Sequence, residues 1–268
     1  MAGAGPAGSF AGMAYDGRDP ELDSADGYEE RRTSFGRQAA TYDAVRPEWP
    51  AGTIRWLVGD LAAGSPVLDL GAGTGKGTRT LVELGLRPTA VDPSEGMLAV
   101  LRERVPGADA RIGTATAIPL PDRSVDAVIS LQAWHWFDSL VAAAECARVL
   151  RPGGTLGVAW HVRDERVPWV AAVSDAGGRR EDGTADRRGV RPPQVGDAFG
   201  PVESAVLPYE LAVDVDGLVA LASSWSYVDL APDREQRLAA VRRVAETAAV
   251  DGRLVIPHRT FCYRWRVR

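Results

Sequence analysis

Asp69-Leu70-Gly71-Ala72-Gly73-Thr74-Gly75 follows the apolar run from Val67 to Leu70 and precedes a stretch in which Leu81 and Leu84 recur at helical spacing. A glycine turn between a strand and a helix is where a doubly wound sheet binds ligands, beyond the carboxyl ends of its strands. Two phosphate-binding patterns fail here. A P-loop needs glycine, four residues and then Gly-Lys-Ser/Thr; Gly75-Lys76 is present, but Leu70 stands at the first glycine and Gly77 at the hydroxyl. The dinucleotide pattern G-x-G-x-x-G meets Lys76 when started at Gly71 and Thr78 when started at Gly73. What remains is Gly71-x-Gly73-x-Gly75 behind Asp69, with a second carboxylate, Asp92, 92 − 73 = 19 residues beyond the middle glycine. At that distance a second strand delivers a carboxylate to a ribose, and Asp69 adds negative charge that a cationic ligand group could use.

Outward from this turn the chain alternates. Thr89-Ala90-Val91 reads as a second strand, and Asp92-Pro93-Ser94 caps a helix carrying Met97, Leu98, Leu101 and Val105. Strand patterns at 110–112 and 125–131, a helix over 140–150, the turn Pro152-Gly153-Gly154 and a strand over 155–160 continue the series. Such β/α alternation implies a parallel sheet with helices on both faces. Upstream, Ile54, Leu57, Val58 and Leu61 form one helical face. Downstream, residues 206–213 read as a strand and 216–223 and 232–249 as helices. Phe261, Tyr263, Trp265 and Val267 then alternate with Cys262, Arg264 and Arg266, which predicts a last strand with one apolar face, antiparallel to its predecessor at the sheet edge.

The organisation expected is a disordered tail over 1–27, N-terminal cap helices over 28–64, and one domain over 65–268 with a variable insert at about 161–201. The tail holds six Gly and six Ala without apolar periodicity, so it has no face to bury. In the insert, charges, Gly and Pro, including Arg179, Arg180, Arg187, Arg188 and Arg191, read as a solvated loop. With 31 basic and 36 acidic side chains the net charge is −5, which offers no global positive field to a nucleic acid. Cys146 and Cys262 form neither a disulfide framework nor a C-x-x-C pair, and three histidines are too few for a structural zinc site. No apolar stretch reaches membrane-span length and no signal segment opens the chain, so a soluble, cytoplasmic protein is expected.

Four motifs in order carry a resemblance. Val67 to Gly75 and Val91-Asp92-Pro93-Ser94 with Met97-Leu98 resemble the first two motifs of the class I S-adenosylmethionine-dependent methyltransferases. Ile118-Pro119-Leu120-Pro121-Asp122 with Ser124-Val125-Asp126 is similar to the approach to that family's fourth strand, and Arg148 to Gly154 to its turn before the fifth. Phe35, Ala39, Tyr42, Arg46-Pro47, Trp49-Pro50 and His135-Trp136-Phe137-Asp138 resemble the small-molecule subgroup that includes trans-aconitate methyltransferase-like proteins. The resemblance implies a doubly wound, mostly parallel seven-stranded α/β sheet with an antiparallel C-terminal strand and N-terminal cap helices. It also implies S-adenosyl-L-methionine as cofactor, S-adenosyl-L-homocysteine as product, and a small organic methyl acceptor. On matching positions, Gly71, Ala72 and Gly73 would line the methionine and ribose, Asp69 would lie near the ammonium, Asp92 with Pro93 at the ribose, and Met97 on the adenine. Tyr42, Arg46 and Gln132 would complete the cofactor site. At Gly113-Thr114-Ala115-Thr116 the chain departs from relatives that often carry an acidic residue, and leaves Thr114 and Ala115 to offer a hydroxyl and backbone contacts.

Methyl transfer displaces an already activated sulfonium, so alignment and exclusion of water come first and a base is optional. His135, on the loop that faces the transferable methyl in this fold, is the candidate base, with pocket shaping as its alternative role. Trp134, Trp136, His161 and Trp225 are expected to wall an aromatic acceptor pocket. Two other readings stay open: a nicotinamide-dependent oxidoreductase with an atypical glycine loop, and a catalytically silent cofactor-binding module.

Overall fold

The computed structural model describes residues 46–178 and 190–268. The expected tail over 1–27, the cap helix containing Tyr42, and Arg179, Arg180, Arg187 and Arg188 lie outside the described residues. After an irregular strap over 46–50 come α1 (Ala51–Val58), β1 (Pro66–Leu70), α2 (Lys76–Glu83), β2 (Arg87–Asp92), α3 (Glu95–Arg104) and β3 (Asp109–Ile112). β4 (Val125–Leu131), a single 3-10 turn (Trp134–Trp136), α4 (Ser139–Val149), β5 (Leu150–Arg163) and α5 (Pro168–Ala176) follow. β6 (Glu203–Asp214), α6 (Val215–Ser223), α7 (Ser226–Asp229), α8 (Arg234–Ala248) and β7 (Arg253–Arg266) complete the series.

One seven-stranded sheet runs in the order β3-β2-β1-β4-β5-β7-β6. β1 pairs in parallel with both β2 and β4, and β4 with β5, while β7 is antiparallel to β5 and to β6. The chain winds outward from β1 to β3 and then returns to β4 on the other side of β1. That reversal opens a crevice above the carboxyl ends of β1 and β4, which is the ligand position of a doubly wound sheet.

Alternation along the strands sends side chains to two cores. Val67, Ala127, Ile129, Ala159 and Cys262 pack with Ile54, Leu57, Val58 and Leu81 on the α1–α2 face. Leu68, Leu70, Val128, Val158, Phe261 and Tyr263 meet Ala142, Ala143, Cys146 and Val149 of α4 on the other. A third cluster joins Leu254 and Ile256 of β7 to α5, α6 and α8 through Val173, Leu218, Leu221, Leu238 and Val241. Among the described residues, no helix is long and apolar enough to cross a membrane.

Two expectations need correction. β7 is antiparallel to its predecessor, as its pattern predicts, but it lies inside the sheet and β6 forms the edge. Both of its faces are covered only over residues 260–263, where Cys262 is fully buried opposite Phe261 and Tyr263, while Val255 and Arg266 stay exposed. The stretch after His161 is also more ordered than its charge suggests: β5 continues to Arg163, and Pro168 starts α5, whose Val170 and Val173 are buried. Proline is preorganised for the first helical position, so here it opens a helix instead of breaking one.

Candidate active site

The glycine turn is fastened to β2 before any ligand is considered. Gly71 N–H and Ala72 N–H both donate to Val91 O, at 2.8 and 3.1 Å. Gly73 N–H donates to Asp92 Oδ2 and Ser94 N–H to Asp92 Oδ1, each at 2.9 Å, so the Asp92 carboxylate is held between the turn and the cap of α3. Ser94 in turn caps α3 by accepting from Met97 N–H at 3.4 Å. Gly71 sits at φ 73°, and a Cβ there would lie 2.6 Å from Ala133 Cβ, so the turn is nested against the loop after β4. A Cβ on Gly73, at φ 54°, would meet nothing within 4 Å: its outer side is open.

Asp69 lies beneath this turn with 1% of its surface exposed. Thr78 Oγ1 donates to its Oδ2 at 2.7 Å. Burial raises its carboxyl from the ordinary 3.8 to about 6, the Thr78 hydrogen bonds hold it down in part, and the Asp92 charge pushes it up again. Among the described residues no basic side chain pairs with Asp69. The sequence reading meets Thr78 and Gly77 only where the phosphate-binding patterns fail, although both serve this carboxylate. A Cβ on Gly77 would come within 3.0 Å of Asp69 Oδ2 and 2.5 Å of Leu131 Cδ1. A hydroxyl at the third helical position after a glycine turn is the signal that could have found Thr78.

The remaining cofactor candidates surround this pair. Met97 is buried on the first turn of α3, and Pro93 is exposed beside Asp92. Gly113 N–H donates to Asp92 O at 3.3 Å, which brings exposed Thr114 and buried Ala115 to the same strand end. Gln132, at φ 58°, exchanges hydrogen bonds with the His161 main chain: its Oε1 accepts from N–H at 2.9 Å and its Nε2 donates to O at 3.2 Å. Its amide thus ties the loop after β4 to β5.

On the acceptor side, His135 occupies the 3-10 turn with its ring 4.9 Å from that of Trp136 and its Nδ1 3.2 Å from Trp160 Nε1. Burial, and then the Arg46 guanidinium, lower its pKa from 6.5 to about 4. Arg46 reaches over from the strap and donates to Ser224 O at 2.7 Å.

His161 has no free edge. Its ring is stacked between Trp49 at 4.0 Å and Tyr209 at 4.4 Å. Nε2 meets Glu48 O at 3.1 Å and Nδ1 meets Thr260 Oγ1 at 2.7 Å, so Nε2 must donate to the carbonyl and Nδ1 accept the hydroxyl proton. Burial, with His258 adding to it, lowers its pKa to about 3. Glu48 accepts from Lys76 Nζ at 2.6 Å and from Arg79, and Thr80 donates to Trp49 O at 2.9 Å, so the strap is bound to α2 as well. Glu48 is a residue the sequence reading passes over.

Trp134 and Trp225 are not brought together. Trp134 is 2% exposed in the α4-side core, its indole donating to Ser139 Oγ at 2.9 Å. Trp225 is 4% exposed in the α5–α8 cluster, under the Arg163 guanidinium at 3.8 Å. Of the expected wall, the structure leaves Trp136 beside His135, while Trp160 supplies the histidine's hydrogen bond.

Comparison with known proteins agrees with this fold. A methyltransferase-domain family model matches residues 68–158. The chain is 43% identical over 236 residues, 86% of its length and 94% of the relative's, to the uncharacterised methyltransferase Rv3342 of Mycobacterium tuberculosis. Among solved structures, a candidate type II methyltransferase from Anaeromyxobacter dehalogenans superposes with a TM-score of 0.61 at 27% identity, covering 83% of this chain and 97% of that one. Phosphoethanolamine N-methyltransferase 2 of Haemonchus contortus, in complex with S-adenosyl-L-methionine, shares the fold at 16% identity and a TM-score of 0.52, over 91% of this chain and 60% of that one.

Proposed function

Because the chain belongs to the class I S-adenosylmethionine-dependent methyltransferases, we propose that its methyl acceptor is a small organic molecule bound between the His135 turn and the Arg46 strap. The observation that carries the cofactor assignment is the pair of carboxylates at adjacent strand ends, Asp69 and Asp92, close enough that the charge of one raises the pKa of the other. The buried Asp69 carboxylate, with no basic partner among the described residues, fits a ligand bearing ammonium and sulfonium charges, and the same field repels the pyrophosphate of a nicotinamide dinucleotide. The oxidoreductase reading is not favoured.

Asp92, held at the end of β2 by the Gly73 and Ser94 N–H groups, presents its carboxylate to the ribose hydroxyls. Gly71 and Gly73 bring main chain to the ligand, Asp69 faces the ammonium, and Met97, Thr114 and Ala115 meet the adenine. S-adenosylmethionine supplies a methyl group already activated on sulfur. The chain's own work is to align the acceptor and keep water out: His135 touches the acceptor, Arg46 adds positive potential, and Trp136 adds apolar surface. A net charge of −5 supports a small acceptor over a nucleic acid, and cytoplasmic residence is part of the same proposal.

Titration calorimetry tests the assignment directly. S-adenosylmethionine and S-adenosylhomocysteine are expected to bind at micromolar level without added metal. Asp92→Ala should weaken both by about 1 to 3 kcal/mol, the loss of hydrogen bonds to a charged acceptor. Unchanged affinity in that variant overturns the ribose assignment.

A further inference from the structure

The contact between Trp160 and His135 has a direction that chemistry alone fixes. An indole N–H donates and never accepts, so the 3.2 Å contact makes His135 Nδ1 the acceptor. A neutral imidazole carries one proton, and with Nδ1 receiving a hydrogen bond that proton must sit on Nε2. Trp160 is itself fixed. It is 8% exposed on β5, packed edge-on against Tyr263 at 6.3 Å and continuous with the α4-side core. Among the described residues, Trp160 is the one hydrogen-bond partner of His135, and no carboxylate stands behind the ring to support an imidazolium. The charged group that acts on His135 is the Arg46 guanidinium, which disfavours a second proton. A histidine base has the opposite surroundings, with an acidic or carbonyl oxygen behind one nitrogen and the lone pair of the other aimed at the substrate.

Resting on the methyltransferase reading above, we propose that Trp160 is a positioning residue that locks His135 in the Nε2–H tautomer, so that His135 meets the acceptor as a hydrogen-bond donor and not as a general base. Its only basic nitrogen is turned towards the core. The attacking atom of the acceptor therefore arrives without a proton, and the group that His135 recognises is one that accepts a hydrogen bond. Together with Arg46, that gives the acceptor side two donors, suited to an electron-rich group.

The tautomer can be read in the ligand-free protein by two-bond nitrogen–carbon-proton correlation of 15N-labelled histidine rings at pH 7. The chain has three histidines, and a His135→Gln variant identifies the signals of position 135. In the wild type, Nδ1 is expected at the shift of an unprotonated nitrogen and Nε2 at that of a protonated one. Trp160→Phe keeps an aromatic ring and deletes the donor: the His135 signals should move towards a mixture of tautomers while those of His161 and His258 stay in place. Nδ1–H in the wild type overturns the proposal without any variant, and so does an unchanged tautomer in folded Trp160→Phe. Calorimetry with S-adenosylmethionine on the same samples separates the two readings. Binding with the wrong tautomer sinks only the role of Trp160, whereas failure to bind sinks the cofactor assignment whatever the tautomer.

Discussion

Asp69 shows how a single buried charge couples ligand and stability. Its carboxyl, raised from 3.8 to about 6, is favoured protonated in the folded chain. The sign follows from linkage: this contribution is fully present below the unfolded pKa and is lost as pH rises through about 6. Asp69→Asn removes the titration. Relative to wild type, the ligand-free variant should gain up to ~3 kcal/mol between pH 4 and pH 7.5, or roughly 6 °C in melting temperature. A constant offset between the two proteins across that range would show that Asp69 is not strained by burial. The place of this residue is legible in the sequence, because an acid two positions before the first glycine of such a turn falls at the end of the strand. His161 is not legible in the same way. Its partners Thr260 and Glu48 are 99 and 113 residues distant, and no local pattern says that both ring nitrogens are already used. His135 falls between the two cases: its place after β4 follows from the motifs, but its hydrogen-bond direction depends on Trp160, 25 residues on.

At the scale of elements, α1 lies against β5 through a glycine. A Cβ on Gly157 would come within 2.9 Å of Leu57 Cβ and 3.0 Å of Leu57 O, and backbone cannot yield as a flexible side chain does. Gly157→Ala should push α1 off the sheet at a cost of about 1 to 3 kcal/mol, the usual penalty for overpacking. Gly52, on the exposed side of the same helix, has nothing within 4 Å of its Cβ position. Gly52→Ala should therefore stabilise by up to ~1 kcal/mol, because alanine loses less backbone entropy on folding. Thermal melts of the two variants should move in opposite directions, and a fall in both would mean that α1 is not packed this way. The periodicity that predicts α1, and the β/α alternation that predicts β1 to β5, are local signals and survive into the structure. The interior place of β7 is not local. It depends on β6 taking the outer position, and a two-residue alternation cannot tell a covered polar face from a solvated one. α5 was hidden because the surrounding charges outweigh a short apolar face whose burial needs α6 and α8.

The whole molecule carries its histidines neutral, and this sets its response to acid. The chain has three, and burial is the first cause lowering each from 6.5: to about 4 at His135, about 3 at His161 and about 4 at His258. A depressed folded pKa contributes stability that is present above the unfolded value and is lost as pH falls towards the folded one. At pH 5 the unfolded chain therefore holds nearly one more proton per histidine than the folded chain. Asp69 works the other way in this window, because its folded form holds a proton that its unfolded form has released. The balance is about two protons taken up on unfolding, which corresponds to a slope of about 3 kcal/mol per pH unit. Carboxylates lowered by arginine partners, such as Asp109, Glu145 and Asp164, add to the loss only at lower pH. Urea unfolding at pH 7, 6 and 5 should thus show stability falling steeply between pH 6 and pH 5, well above the range in which ordinary carboxylates titrate. Because His161 and Glu48 fasten the strap that carries Arg46, the same protons should loosen the acceptor side before the glycine turn. Tryptophan fluorescence and S-adenosylmethionine calorimetry at pH 5.5 can separate these events: a shift in the environment of Trp49 with cofactor affinity retained is the expected order. Stability that is flat from pH 7 to pH 5 would mean that the three rings are not held neutral by burial, and with it the fixed tautomer of His135 would lose its electrostatic support.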